Sequence, residues 1–315
     1  MANHRIESVQ ETLHGYFSRD RASILTIDPG DTVVYRTLDA GWNLFDQPVP
    51  VKERKRFEPR DKEKNPGHAL CGPIAIRGAE PGMVLEIIIK EIQPGKWGWS
   101  SAGGYDSPWN RTLNLVEGEE FVLHWAISPE EGTAINQLGW TVPLRPIMGI
   151  LGMPPDESGH HSTFVPRSCG GNIDCRELVA GSRLFLPVSV PGALFSVGDG
   201  HAVQGDGEVT GPALECPMER VELEFQLHKD LRLSWPRAHA PVGWITFGFD
   251  PDLNKAWVIA LEGMLDLIQE QYGLERKAAL AMAGLVVNLR ITQVVNFSFG
   301  VHAILSDGAM RGIMG

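Results

Sequence analysis

Between residues 197 and 215 the chain reads VGDGHAVQGDGEVTGPALE, which sets Asp199, His201, Asp206, Glu208 and Glu215 among five glycines. Carboxylates and an imidazole are donors that divalent cations accept, and glycine lets the backbone take conformations other residues resist. The stretch therefore reads as a metal site. Gly198, Gly200, Gly205 and Gly207 do not fit the G-x-G-x-x-G spacing of a dinucleotide loop, and no phosphate cradle is expected. The structural alternative is a tight turn between strands with solvated acids.

Two further clusters supply partners. GGNIDCREL, residues 170–178, sets two glycines before Asn172 and Asp174, with Arg176 and Glu177 beyond. This spacing predicts an exposed turn from whose end Asp174 either reaches a metal or caps its own turn. An ion takes ligands from several elements, so Asp174 joined to His201 and the acids is a sufficient set. NPGHALCGPIAIRGAEPG, residues 65–82, carries His68 before a hydrophobic passage and a bend at Gly72-Pro73. A lone histidine is more often a hydrogen-bonded surface residue than a ligand, so His68 depends on its neighbours. His160, His161 and His302 have thinner local support still.

The elements that must hold these residues read mainly as strands. Thirty-five glycines and twenty-two prolines cut the chain, up to about residue 250, into short runs rich in Val, Ile and Leu. Strands are predicted at 23–27, 32–38, 83–92, 120–127, 183–190 and 221–227, the last as the half-solvated alternation VELEFQL. Residues 83–92 are nearly all apolar and should be deeply buried. Residues 93–111, with three tryptophans, four glycines and no periodicity, read as an aromatic loop over a pocket. Asp250-Pro251-Asp252 starts a helix over 253–272 that Gly273 stops, a second helix covers 274–283, and a strand follows at 285–296. The predicted fold is mainly β, a jelly-roll-like β-sandwich over 1–245 with an α+β unit over 246–315.

Composition narrows the function. At 315 residues and 43% hydrophobic content the chain has material for a sizeable core. Net charge is −11 and the longest basic run is residues 52–56, so neither nucleic acid nor an anionic membrane is an expected partner. The N-terminus lacks the apolar segment of a secretion signal, which predicts a cytoplasmic protein. Cys71, Cys169, Cys175 and Cys216 show no CxxC spacing and are expected as reduced, buried thiols. No G-x-S-x-G elbow, H-E-x-x-H helix or Walker loop is present, so no serine or cysteine nucleophile is indicated.

GHALCGPIAIRGAEPGMVLEI, the long block from Gly170 through Glu215, and VNFSFGVHAILS together resemble the acetamidase/formamidase family over about residues 14–302. The resemblance implies hydrolysis of a short carboxamide to a carboxylate and ammonia by a metal-containing homo-oligomer with a mainly β fold. Its GGN-D element falls on Asp174, its GD-H--QGDGE element on Asp199, His201, Gln204, Asp206 and Glu208, and its GH--xGP element on His68, Gly72 and Pro73. Cys71 stands where threonine is expected, and Cys175 lies inside the Asp174 element. The tryptophans of 93–111 suggest an amide larger than formamide or acetamide, because aromatic walls favour apolar substituents.

Amide hydrolysis needs a strong nucleophile, a polarised carbonyl and a protonated leaving nitrogen. A zinc ion lowers the pKa of water to about 7 and acts as a Lewis acid. On this reading Asp174, His201 and either Asp199 or Glu215 hold the metal, Glu208 is the general acid/base, and His68 is a reserve ligand or oxyanion donor. Asp206 alternatively anchors the glycine turn. Zinc is the expected metal, with calcium the alternative if the shell is oxygen alone. The rival readings are a hydrolase of cyclic amides, a non-catalytic metal-binding β-sandwich module, and an inactive structural relative.

Overall fold

A computed structural model describes residues 1–44 and 55–311; residues 52–54 of the basic run lie outside this range. The fold is mainly β, as expected. Strand Met218–His228 shows why: Val221, Leu223 and Phe225 are buried, and Glu222 and Glu224 between them are half-buried, following the apolar-charged alternation. It lies between Thr32–Thr37 and Val84–Pro94 in a nine-stranded sheet. That sheet continues through Arg183–Pro187, Arg237–Ala240, Gly243–Asp250 and Phe299–Leu305 to an edge strand, Val287–Gln293.

A second sheet holds the candidate site. Its order is Gly170–Asn172, Ile147–Gly152, Phe195–His201, Leu70–Ile76 and Leu13–His14, with Leu25–Ile27 pairing Leu70–Ile76. Buried side chains of the two sheets merge into one hydrophobic cluster, with Phe195 meeting Phe225 edge-on at 5.1 Å. The sheets thus lie face to face around a shared core. The third sheet, of four strands, runs from Thr141–Pro143 through Thr133–Asn136 and Phe121–Ser128 to Trp97–Ala102.

The glycine-rich stretches depart from their predicted form. Val197 through His201 is a buried central strand, not a turn. A Cβ on Gly198 would lie 2.3 Å from the Ala69 carbonyl oxygen, and one on Gly200 would lie 2.7 Å from Met218 Cε. These glycines permit close packing; they do not mark a reversal. Likewise Gly170–Asn172 is a buried strand where an exposed turn was expected, and Gly72-Pro73 lies within strand Leu70–Ile76, not at a bend. Residues 93–111 contain strand Trp97–Ala102 and helix Pro108–Thr112 in place of a loop.

Helix Leu253–Tyr272 has the predicted bounds, capped by Asp252, whose side chain accepts from Asn254 N–H, and closed by Gly273 in the left-handed conformation. It packs with helix Arg276–Val286 on Val301, Ala303 and Leu305. The C-terminal strands are not a separate sheet. Gly243–Asp250 spans the expected boundary at 245, and the two strands beyond it extend the same nine-stranded sheet. All four cysteines are buried and free. Among the described residues no helix is long and apolar enough to cross a membrane.

Candidate active site

Strand Phe195–His201 supplies two of the site's side chains, Asp199 and His201, and its neighbours bring the rest. Ile147–Gly152 pairs with it on one side and with Gly170–Asn172 on the other, and the Gly149 carbonyl accepts from the N–H groups of Ile173 and Asp174. Asp174 is thereby held beside Asp199. Gly149 makes room for both: a Cβ there would meet Asp174 Oδ1 at 2.4 Å and Asp199 Oδ2 at 2.6 Å. After His201 the chain loops out and returns so that Glu215 bridges both His201 and Trp99. Gly207 is fastened between Thr292 and Val294, which fixes Glu208.

Five predicted residues therefore converge, and all are buried: Asp174, Asp199, His201, Glu208 and Glu215. His201 Nε2 lies 3.2 Å from Glu215 Oε1, 3.4 Å from Asp199 Oδ1 and 4.0 Å from Glu208 Oε1, while Nδ1 lies 4.0 Å from Asp174 Oδ1. Asp206 is exposed instead, 3.7 Å from Arg290, and has no place in the cluster. Asp174, Asp199 and Glu208 all have positive φ, 49°, 60° and 45°. L-residues seldom adopt that conformation, and its recurrence at three site acids is strain concentrated where chemistry is placed.

Gln204 settles the orientation of the imidazole. Its Nε2 donates to the Asp174 carbonyl oxygen at 2.6 Å, leaving Oε1 to accept from His201 Nδ1 at 2.9 Å. A carbonyl can only accept, so the amide cannot be reversed, and Nδ1 must carry a proton. Nε2 then faces the acids. Asn296 donates to Asp174 Oδ2, which leaves Oδ1 without a partner. Glu208 Oε2, Glu215 Oε2 and Asn172 Oδ1 are likewise buried without a hydrogen-bond partner, and His201 Nε2 has only its ion-pair contacts to Glu215 and Asp199.

Crowded burial shapes the protonation. Burial and then the charge of Asp199 push Asp174 up to about 6; burial pushes Glu215 up to about 7 despite His201. Burial, followed by Asp174, drives Glu208 well above the ordinary carboxylate range. Burial opposes the charge on His201, but Glu215 and Asp199 outweigh it and raise the imidazole well above its usual value. Asp199 alone goes down, to about 2, because His201 and His68 overcome its burial. Four buried acids around one imidazole call for positive charge, and a cation meets that need as protons do. Asp174, Asp199 and His201 each offer an atom within 4.8 Å of the others, as do His201, Glu208 and Glu215. The orphaned donor atoms fit a divalent ion.

Asp199, Glu208 and Glu215 form the floor of a cavity of about 560 Å³, whose lining does not include Asp174 or His201. His68 lines its wall, with Nδ1 2.7 Å from Thr163 Oγ1; burial holds this imidazole below its usual pKa. Trp99, Tyr105 and Trp109 line another side, so the tryptophan-rich segment borders the cavity as a strand and a short helix. Asn296 was not foreseen. It acts on Asp174 across 122 residues; it lies in the VNFSFGVHAILS block, whose resemblance was the one signal that could have pointed to it.

Known proteins share this architecture. An acetamidase from Bacillus halodurans superposes with a TM-score of 0.84 over 96% of this chain and 97% of its own, at 24% identity. An acetamidase from Yersinia enterocolitica gives 0.82 over 98% and 93%, at 26% identity. In sequence, an acetamidase from Mycolicibacterium smegmatis is 29% identical over 206 residues, 48% of this chain and 51% of that protein. The chain spans 51% to 60% of the length of the curated relatives it matches. The model of the acetamidase/formamidase family matches residues 2–158 and 156–305, almost the whole chain, and the chain belongs to that family.

Proposed function

We propose that the chain hydrolyses a primary carboxamide to a carboxylate and ammonia, using a divalent metal held by His201 Nε2 with Asp199, Glu215 and Asp174. What carries this reading is the convergence of four buried acids on one imidazole, with three of those acids, Asp199, Glu208 and Glu215, lining a cavity. The mixture of one imidazole with carboxylates suits zinc better than calcium, which prefers oxygen alone. When bound, such an ion supplies Lewis acidity toward the substrate carbonyl and toward water.

The chain's own residues do the remaining work. In the overall reaction the C–N bond breaks, a C–O bond forms from water, and one proton must reach the leaving nitrogen. Glu208 Oε2, buried and unpartnered at the cavity floor, is placed to carry that proton. Asn172 Oδ1, an unpartnered acceptor in the cavity wall, suits an amide N–H. His68, its ring steadied by Thr163, is placed to donate to the carbonyl oxygen as negative charge develops there. Gln204 and Asn296 orient His201 and Asp174.

The test is ammonia release from a panel of amides before and after dialysis against a chelator. Release that stops with chelator and returns with zinc supports the proposal. Undiminished release from metal-free protein removes the ion from the mechanism, and no release from any amide removes the hydrolase reading.

A further inference from the structure

Formamide and acetamide are small for this cavity. At about 30 Å³ per water, an amide of four non-hydrogen atoms displaces on the order of 120 Å³. The cavity holds about 560 Å³, within the range of roughly 300–1,000 Å³ seen for sites that take drug-sized ligands. The space beyond the acid cluster is walled by Trp42, Trp99, Tyr105, Trp109, Phe164 and Phe297. Two of these rings sit against water: Phe164 is 40% exposed and Phe297 is 71% exposed. They meet edge-to-face with centroids 6.4 Å apart, and Phe164 also packs on His68 at 4.3 Å.

Phe297 is held there under strain. Its φ is +58°, a conformation unfavourable for a bulky residue, and the backbone around it is braced on both sides. Gln293 Oε1 accepts from the N–H groups of Val295 and Asn296, and Gln293 Nε2 donates to the Ser298 carbonyl. Asn296, the residue before Phe297, holds Asp174; Thr163, the residue before Phe164, holds His68. Each exposed ring is therefore tied, one residue away, to a side chain of the acid site. An exposed apolar pair kept at a fixed distance from reactive groups is a binding feature more than a packing one.

We propose that Phe164 and Phe297 form the acyl-binding subsite and give the protein a preference for primary amides bearing an aromatic ring over short aliphatic ones. This rests on the amide-hydrolase reading above. The ring of an arylacetamide would lie against the cavity side of this edge-to-face pair, with its carboxamide directed to the acid cluster.

The experiment compares 2-phenylacetamide with acetamide for the wild type, Phe297→Gly and Phe297→Leu. Glycine relieves the backbone at this φ, so the variant should fold. The expected result is a higher kcat/KM for 2-phenylacetamide in the wild type. In Phe297→Gly its KM should rise about three- to tenfold, the range for losing one aromatic contact, and by more than the KM for acetamide, so that the ratio of the two kcat/KM values falls. Leucine should restore part of the loss. A wild type that prefers acetamide, or a Phe297→Gly variant weakened equally toward both substrates, overturns the proposal. So does a Phe297→Gly variant whose oligomeric state changes while its discrimination does not, because the ring would then be a subunit contact. Calorimetry with the product phenylacetate needs no turnover: binding lost in Phe297→Gly upholds the subsite even if no amide is hydrolysed, and equal binding by both proteins overturns it.

Discussion

Asp174 and Glu177 lie three residues apart, just before and within the turn closed by Leu178 N–H on the Cys175 carbonyl, and both are buried, yet their surroundings differ completely. Glu177 is matched by cations: Arg145 bonds one oxygen and Arg290 the other, at 2.9 Å, with Arg176 4.0 Å away. Asp174 faces other acids and one imidazole, with Oδ1 unpartnered. A buried acid enclosed by guanidinium groups ties down the fold, whereas buried acids set against each other hold a place for charge that the protein does not itself supply. Local sequence treats the two alike. Only the strands that pack on the turn tell them apart.

The sharpest way to break the comparison is to remove one member of the acid cluster. Glu208→Gln should keep metal by elemental analysis and lose about 10²- to 10⁴-fold in kcat, the range for a general acid/base, whereas His201→Ala should lose the metal itself. A fully active His201→Ala protein sinks the ligand assignment. On the other side of the turn, Glu177→Ala should lower unfolding stability in urea by about 2–3 kcal/mol, less than a fully buried pair because its arginines are partly exposed. Metal content of the folded protein should not change; if it does, Glu177 belongs to the site.

A smaller effect is expected one step out from the imidazole. Gln204→Leu removes the acceptor that fixes His201 Nδ1, and metal affinity in a competition titration should fall about 10- to 100-fold. Unchanged affinity would mean the strand alone orients the ring. A pH-dependent effect sets His201 against two histidines kept neutral. Burial, chiefly, depresses His14 and His302 to about 3, with Ser196 and Thr292 as their partners. Their folded pKa lies below the unfolded value of about 6.5, so the unfolded chain takes up the extra protons. Stability is complete above 6.5 and falls on acidification toward 3, by about 1.4 kcal/mol per pH unit for each residue. Denaturation midpoints across this window should show that slope, and His14→Gln should flatten it.

Much of this was legible in the sequence where periodicity or capping is strong. Helix Leu253–Tyr272 carries its own start and stop, and strand Met218–His228 its own alternation. The acids were legible as a set because His201 and three carboxylates of the cluster share one short stretch. What could not be read was which of those acids turns inward: Asp206 and Glu208 are two residues apart, and only Glu208 is buried. The glycines misled, since a glycine required by a close neighbouring strand looks in composition like one required by a turn. Asn296 had no signal but the resemblance because its partner is distant in the chain, and strand Trp97–Ala102 was invisible because glycine and serine hide its alternation.

The left-handed backbone at Asp174, Asp199 and Glu208 bears on how such a chain can change over time. At each of these positions glycine would relax the main chain and lift a mutually repelling carboxylate at once. Sequences drifting under selection for foldability alone would shed these acids early, gaining robustness as they lost the site. A variant with glycine at all three would be a sturdier molecule without three of the four acids that gather on His201.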